Sequence, residues 1–106
     1  MVIFVQFGMI RECFADIVGA KATFASNGTA SEIILHRATG ELNSYMVRHG
    51  DMDKAYSFIN TLGCLLSGEY SYNEVVVDMD TLIVYDVRSK KQITCNHIDW
   101  NLGIMR

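Results

Sequence analysis

The sequence predicts an α+β fold: a two-layer sandwich of a mainly antiparallel sheet with two helices, in the order β-α-β-β-β-α-β-β-β. Three observations carry this. Apolar runs of strand length open the chain and fill its last third, turn signals punctuate the segment from residue 21 to 48, and two stretches carry apolar residues at helical spacing. A ferredoxin-like βαββαβ core with added strands is one way to thread that order.

Residues 2–7, VIFVQF, are β-branched and aromatic and end at Gly8, which reads as a buried strand. From Met9 to Val18, Ile10, Cys13, Phe14, Ile17 and Val18 fall at helical spacing with Arg11, Glu12 and Asp16 opposite, so a helix closed by Gly19 is expected. Asn27-Gly28 suits a two-residue hairpin turn and Thr39-Gly40 supplies another, giving a three-strand meander near 21–26, 31–38 and 41–48. Asp51 caps a second helix, Asp53 lies in its first turn, Met52, Ala55, Tyr56, Ile59, Leu62 and Leu66 form its apolar stripe, and Gly68 ends it. NEVVVD and LIVYDV are then strands, and RSKK is a polar turn into QITCNHI.

The chain, residues 1–106, has the size and half-hydrophobic composition of one globular domain. No window reaches the ~20 apolar residues that a helical membrane span needs, and no basic residue precedes the apolar start. Cys13, Cys64 and Cys95 are odd in number, far apart and set among apolar neighbours, which predicts buried thiols in a reducing, cytoplasmic compartment.

The stretch VVVDMDTL places Asp78 and Asp80 at the end of an apolar run. It resembles the first motif of the haloacid dehalogenase superfamily and, more distantly, the first strand of RNase H-like nucleases. That resemblance implies a nucleophile at Asp78, an acid and base at Asp80, and a magnesium ion held by both. It covers about eight residues; Thr81 stands where the family has glycine, and no helical lysine followed by a second acidic pair appears downstream. Asp-x-Asp at a strand end is the ordinary chemistry of a turn, because aspartate hydrogen-bonds its own backbone, and a turn is the reading adopted.

The cysteines and histidines have no zinc-ligand spacing, no cysteine lies in a reactive motif, and Gly8 alone makes no phosphate loop, so no catalytic residue, metal or cofactor is expected. With a net charge of -3 and one small basic cluster, Arg88, Lys90 and Lys91, direct nucleic-acid binding is disfavoured.

Charge is uneven along the chain. Between residues 51 and 86, Asp51, Asp53, Glu69, Glu74, Asp78, Asp80 and Asp86 face Lys54 alone. An acidic face of this kind steers basic partners and repels nucleic acid. Trp100 in the carboxyl-terminal stretch HIDWNLGIMR is of the residue type that anchors interfaces.

The expected function is that of a small non-catalytic inhibitor or protein-binding protein, its partner-binding residues being those seven acids and Trp100. In size and character it resembles, by type, the inhibitors of nucleases and nucleic-acid-binding defence complexes carried by phages and bacteria, including anti-CRISPR and toxin-immunity proteins. The first alternative is a homodimeric α+β module, paired through its carboxyl-terminal tail and a sheet edge, that binds a small ligand or serves a structural role. The second is a minimal metal-dependent hydrolase using Asp78 and Asp80.

Overall fold

A computed structural model describes residues 1–24, 31–47, 52–68 and 71–94. Eight strands and one helix follow in order: β1 (Val2–Phe7), β2 (Ile10–Phe14), β3 (Ile17–Phe24), β4 (Ser31–Arg37), β5 (Leu42–Val47), α1 (Met52–Leu66), β6 (Glu74–Asp78), β7 (Ile83–Asp86) and β8 (Gln92–Ile93). They form a five-stranded sheet ordered β2-β1-β6-β7-β8 and a three-stranded sheet ordered β3-β4-β5. The β1–β6 pairing is parallel, and the other pairings are antiparallel.

The architecture is α+β, with one helix among the described residues instead of two. The helix expected from Met9 to Val18 is replaced by β2, a bend and the start of β3. Gly8 has φ of 61°, and with Met9 it makes the two-residue turn that sets Phe7 opposite Ile10. A glycine at the first central position is the signature of a type II′ hairpin turn, whose twist suits antiparallel strands. Ile10 and Val18, two members of the supposed helical stripe, are 61% and 62% exposed, so that stripe buries little. Among the described residues the chain is therefore α+β with a mixed five-stranded sheet, a three-stranded sheet and one helix, and neither the two-helix, two-layer sandwich nor the ferredoxin-like threading is confirmed.

The meander forms as β3, β4 and β5, with β4 and β5 near the expected limits and β3 beginning at Ile17, four residues before the expected start. Gly40, with φ of 93°, occupies the position in the β4–β5 turn that needs the left-handed region. Asn27-Gly28 lies outside the described residues. The second expected helix also forms, and Gly68, with φ of 83°, follows its last turn as a left-handed terminator. Its buried stripe is Ala55, Phe58, Leu62 and Leu65, rotated from the one expected: Tyr56 is 52% exposed and meets the Phe24 ring edge-on.

The core joins both sheets and the helix in one cluster. Ile3 and Val5 of β1, Val75 and Val77 of β6 and Val84 of β7 meet Ile33 and Leu35 of β4, Tyr45 and Val47 of β5, and the buried side of α1. Val76 is also buried, on the opposite face of β6, with Phe4 and Tyr85 as its cross-strand neighbours. Burial on both faces is what a central strand with a parallel partner calls for, and it explains why 75–77 is an unbroken valine run.

The bend at residues 15–16 is tied to the β4–β5 turn. Ala38 N donates to Asp16 O at 2.8 Å, and Arg37 Nε donates to Asp16 Oδ1 at 2.6 Å while its guanidinium lies 4.6 Å from the Phe14 ring centroid. Nearby, the Tyr45 ring meets Phe7 edge-on and its hydroxyl donates to Glu12 Oε1 at 3.4 Å. Burial, and next the Glu12 carboxylate, push the Tyr45 pKa up to about 12. The native protein therefore keeps this proton after the unfolded chain, titrating at about 10, has lost it. Stability from this group is intact below about pH 10 and declines as pH rises toward the folded value. Urea midpoints recorded on either side of pH ~10 are expected to show that decline, and Tyr45→Phe is expected to remove its share of it.

Cys13 is exposed with a free thiol, against the expectation that it is buried. Cys64 is buried as expected, but it is disulfide-bonded, and its partner lies outside the described residues. Cys95 also lies outside them. Among the described residues no helix is long and apolar enough to cross a membrane.

Candidate functional site

The β6–β7 hairpin carries four of the acids singled out in the sequence and separates them into two pairs. Glu74 and Asp86 lie at one end and Asp78 and Asp80 at the other; four residues of extended strand put the ends roughly 13 Å apart. Asp53 is exposed in the first turn of α1. Asp51, Glu69 and Trp100 lie outside the described residues.

At the first end, Val2, Ser71, Tyr72, Asn73, Glu74, Asp86 and Arg88 line an open cleft of about 600 Å³. The Asp86 carboxylate accepts from Ser89 N at 2.9 Å, and hydrogen bonds from the Ser89 backbone and side chain hold its pKa below the usual carboxylate value. The cleft thus offers two carboxylates, a guanidinium and amide and hydroxyl groups to a polar ligand.

At the second end, the Asp-x-Asp string forms a turn. Asp78 Oδ1 accepts from Asp80 N at 2.9 Å and from Thr81 N at 3.3 Å, and Leu82 N donates to Asp78 O at 2.8 Å. Leu82 adopts φ of 57° with its side chain buried, and Met79, 0% exposed, anchors the turn to the core. Met79 N also donates to Gln6 O at 2.9 Å, continuing the parallel pairing beyond the strand.

The Asp80 side chain reaches across to another element. Its Oδ2 accepts from Gly8 N at 2.8 Å, which fastens the β6–β7 turn to the β1–β2 turn. The first turn presents Met9, 101% exposed, and Ile10 beside it. An apolar tip and two carboxylates are therefore held together at one end of the five-stranded sheet.

No family model, curated protein or solved structure matches this chain.

Asp78 Oδ1 and Asp80 Oδ2 each accept from main-chain amides, the chemistry of a turn. Among the described residues, no group of three His, Cys, Asp or Glu side chains is placed to hold a metal ion. Magnesium or manganese titration in a calorimeter measures directly whether the two aspartates bind a cation.

Sequence reasoning placed Met9 and Ile10 in a helix and gave them no binding role. The available signal was Gly8 followed by one residue between two apolar runs, which is a hairpin pattern as well as a helix start.

Asp80→Ala is expected to cost about 1 kcal/mol, the ordinary net value of one hydrogen bond, and Asp80→Asn less, because the amide oxygen still accepts from Gly8 N. Urea unfolding of the two variants against the native chain checks the order.

Proposed function

We propose that the protein is a non-catalytic binding protein that engages a basic protein partner through the end of the sheet where Met9, Ile10, Asp78 and Asp80 meet. The observation that supports it is the Gly8 N to Asp80 Oδ2 hydrogen bond, which sets a fully exposed methionine beside an acidic turn. The carboxylates steer a cationic surface into contact, and the apolar tip enters a pocket whose desolvation supplies much of the affinity. Within this reading, inhibition of a nuclease or of a nucleic-acid-binding defence complex, of the anti-CRISPR or immunity-protein type, is the narrower proposal. Such a target presents the basic groove that an acidic end would occupy, and direct nucleic-acid binding by the chain itself is disfavoured by its net charge of -3.

Capture from native host lysate at low and moderate salt, with the native chain beside Met9→Ser and Asp80→Asn, tests this reading. The expected result is a basic protein whose recovery falls with salt and with both variants. A partner recovered equally by all three chains would remove the sheet end from the interface.

A cytoplasmic setting rests on the odd cysteine count; the disulfide at Cys64 weighs against it, because such bonds persist mainly in oxidising compartments. The cleft beside Glu74, Asp86 and Arg88 favours a second reading, in which a small polar or zwitterionic ligand is bound there. A ligand that raises the melting temperature of the native chain and not of Arg88→Gln would support it.

A further inference from the structure

Four strands lie at sheet edges, namely β2, β8, β3 and β5. An edge strand exposes unpaired backbone groups, and monomeric proteins blunt it with charge, bulges, short length or a covering element. Three of the four edges show such devices. β2 carries Arg11 and Glu12, β8 spans two residues just after Lys90 and Lys91, and β3 has a bulge between Ile17 and Gly19, a lysine at 21 and α1 packed alongside.

Among the described residues, β5, LNSYMV, shows none of them. It runs six residues in unbroken register with β4 and contains no charge and no proline. Arg37 N donates to Glu41 O, so the hydrogen-bonded pairs with β4 recur at Asn43, Tyr45 and Val47. The N–H and C=O groups of Leu42, Ser44 and Met46 consequently point away from β4, and no described strand pairs with them. The same residues present exposed side chains on the outer face, with Leu42 and Met46 each 58% exposed.

We infer that β5 pairs antiparallel with β5 of a second copy of this chain, about a two-fold axis at Ser44, joining two three-stranded sheets into one of six strands. The second copy is the occupant because the strand is self-complementary. With Ser44 opposite Ser44 of the partner subunit, Leu42 lies opposite the partner's Met46 and Met46 opposite the partner's Leu42. Both apolar side chains gain an apolar cross-strand neighbour, and all the outward backbone groups of 42, 44 and 46 are satisfied. No like charges meet along the seam. Asn43, whose buried Oδ1 has no hydrogen-bond partner among the described residues, lies on this strand opposite the partner's Tyr45. Six residues of edge pairing make a small interface, so the dimer forms in a concentration-dependent equilibrium. This surface is separate from the Met9 and Asp80 end, and each is tested by its own variants.

Sedimentation equilibrium of the full chain over a wide concentration series tests the inference. The expected mass rises from one chain to two, and hydrogen exchange at the Leu42, Ser44 and Met46 amides slows over the same range. Leu42→Lys and Met46→Lys each shift the midpoint to at least roughly tenfold higher concentration. The double variant Leu42→Glu/Met46→Lys restores dimerisation by setting each lysine opposite the partner's glutamate and beside Glu32 of its own chain, now with a dependence on salt. Val18→Lys, exposed on β3 and off the seam, leaves the midpoint unchanged. Far-UV circular dichroism confirms that each variant folds. A one-chain mass at every concentration would overturn the proposal, as would a dimer indifferent to both single lysines. Failure of the double variant to dimerise where both singles are disrupted would overturn the register.

Discussion

Val77→Asp is expected to abolish cooperative unfolding. Val77 is 0% exposed at the centre of the five-stranded sheet, flanked by Val5 in parallel and Val84 in antiparallel register. Losing the valine forfeits about 1.5–3 kcal/mol of burial, and an unpaired carboxylate there costs several kcal/mol more. Together these approach the whole stability of a domain, about 5–15 kcal/mol. Val77→Thr keeps the shape and adds one hydroxyl, so it is expected to cost about 1–3 kcal/mol and to leave a folded chain. Near-UV circular dichroism and urea unfolding separate the outcomes: fixed aromatic signals and a sharp transition for threonine, neither for aspartate. A cooperative transition in the aspartate variant would mean that this strand is not central.

Leu62→Ala is expected to lower stability by about 2–5 kcal/mol. Leu62 is 1% exposed on the face of α1 that joins the core, between Phe58 and Leu65. Alanine is the better helix former, so the loss measures packing and the cavity left behind. The comparison is Tyr56→Ala on the same helix, 52% exposed, where the edge-on contact with Phe24 is worth about 0.5–1.5 kcal/mol. Urea midpoints with unchanged slopes are the readout, and a smaller loss for Leu62→Ala than for Tyr56→Ala would mean that the buried face of α1 is misassigned.

The helix that Gly68 terminates and the Thr39-Gly40 turn were legible because each rests on residues adjacent in sequence. The strand ending at Asp78 was legible from its valine run. The stretch from Met9 to Val18 was not, because its apolar spacing fits a helix while its real partner is β1, fixed by one dihedral angle at Gly8. The turn at Asp78 to Thr81 follows from aspartate chemistry, yet its use by Gly8 does not, since that bond joins residues 72 positions apart. The charge excess between 51 and 86 was visible as a sum. Its division between two ends of a hairpin follows from strand direction, which no count of charges contains.

The parallel alliance of β1 with β6 has a consequence for how the chain is made. Val2 is matched to Glu74 and Gln6 to Asp78, so during synthesis β1 waits for a mate encoded about seventy residues later. Until then β1 has only β2, while the meander of β3, β4 and β5 has its neighbours at once. Distant pairings of this kind form late and slowly, which leaves one edge of the β1–β2 hairpin open until β6 is made.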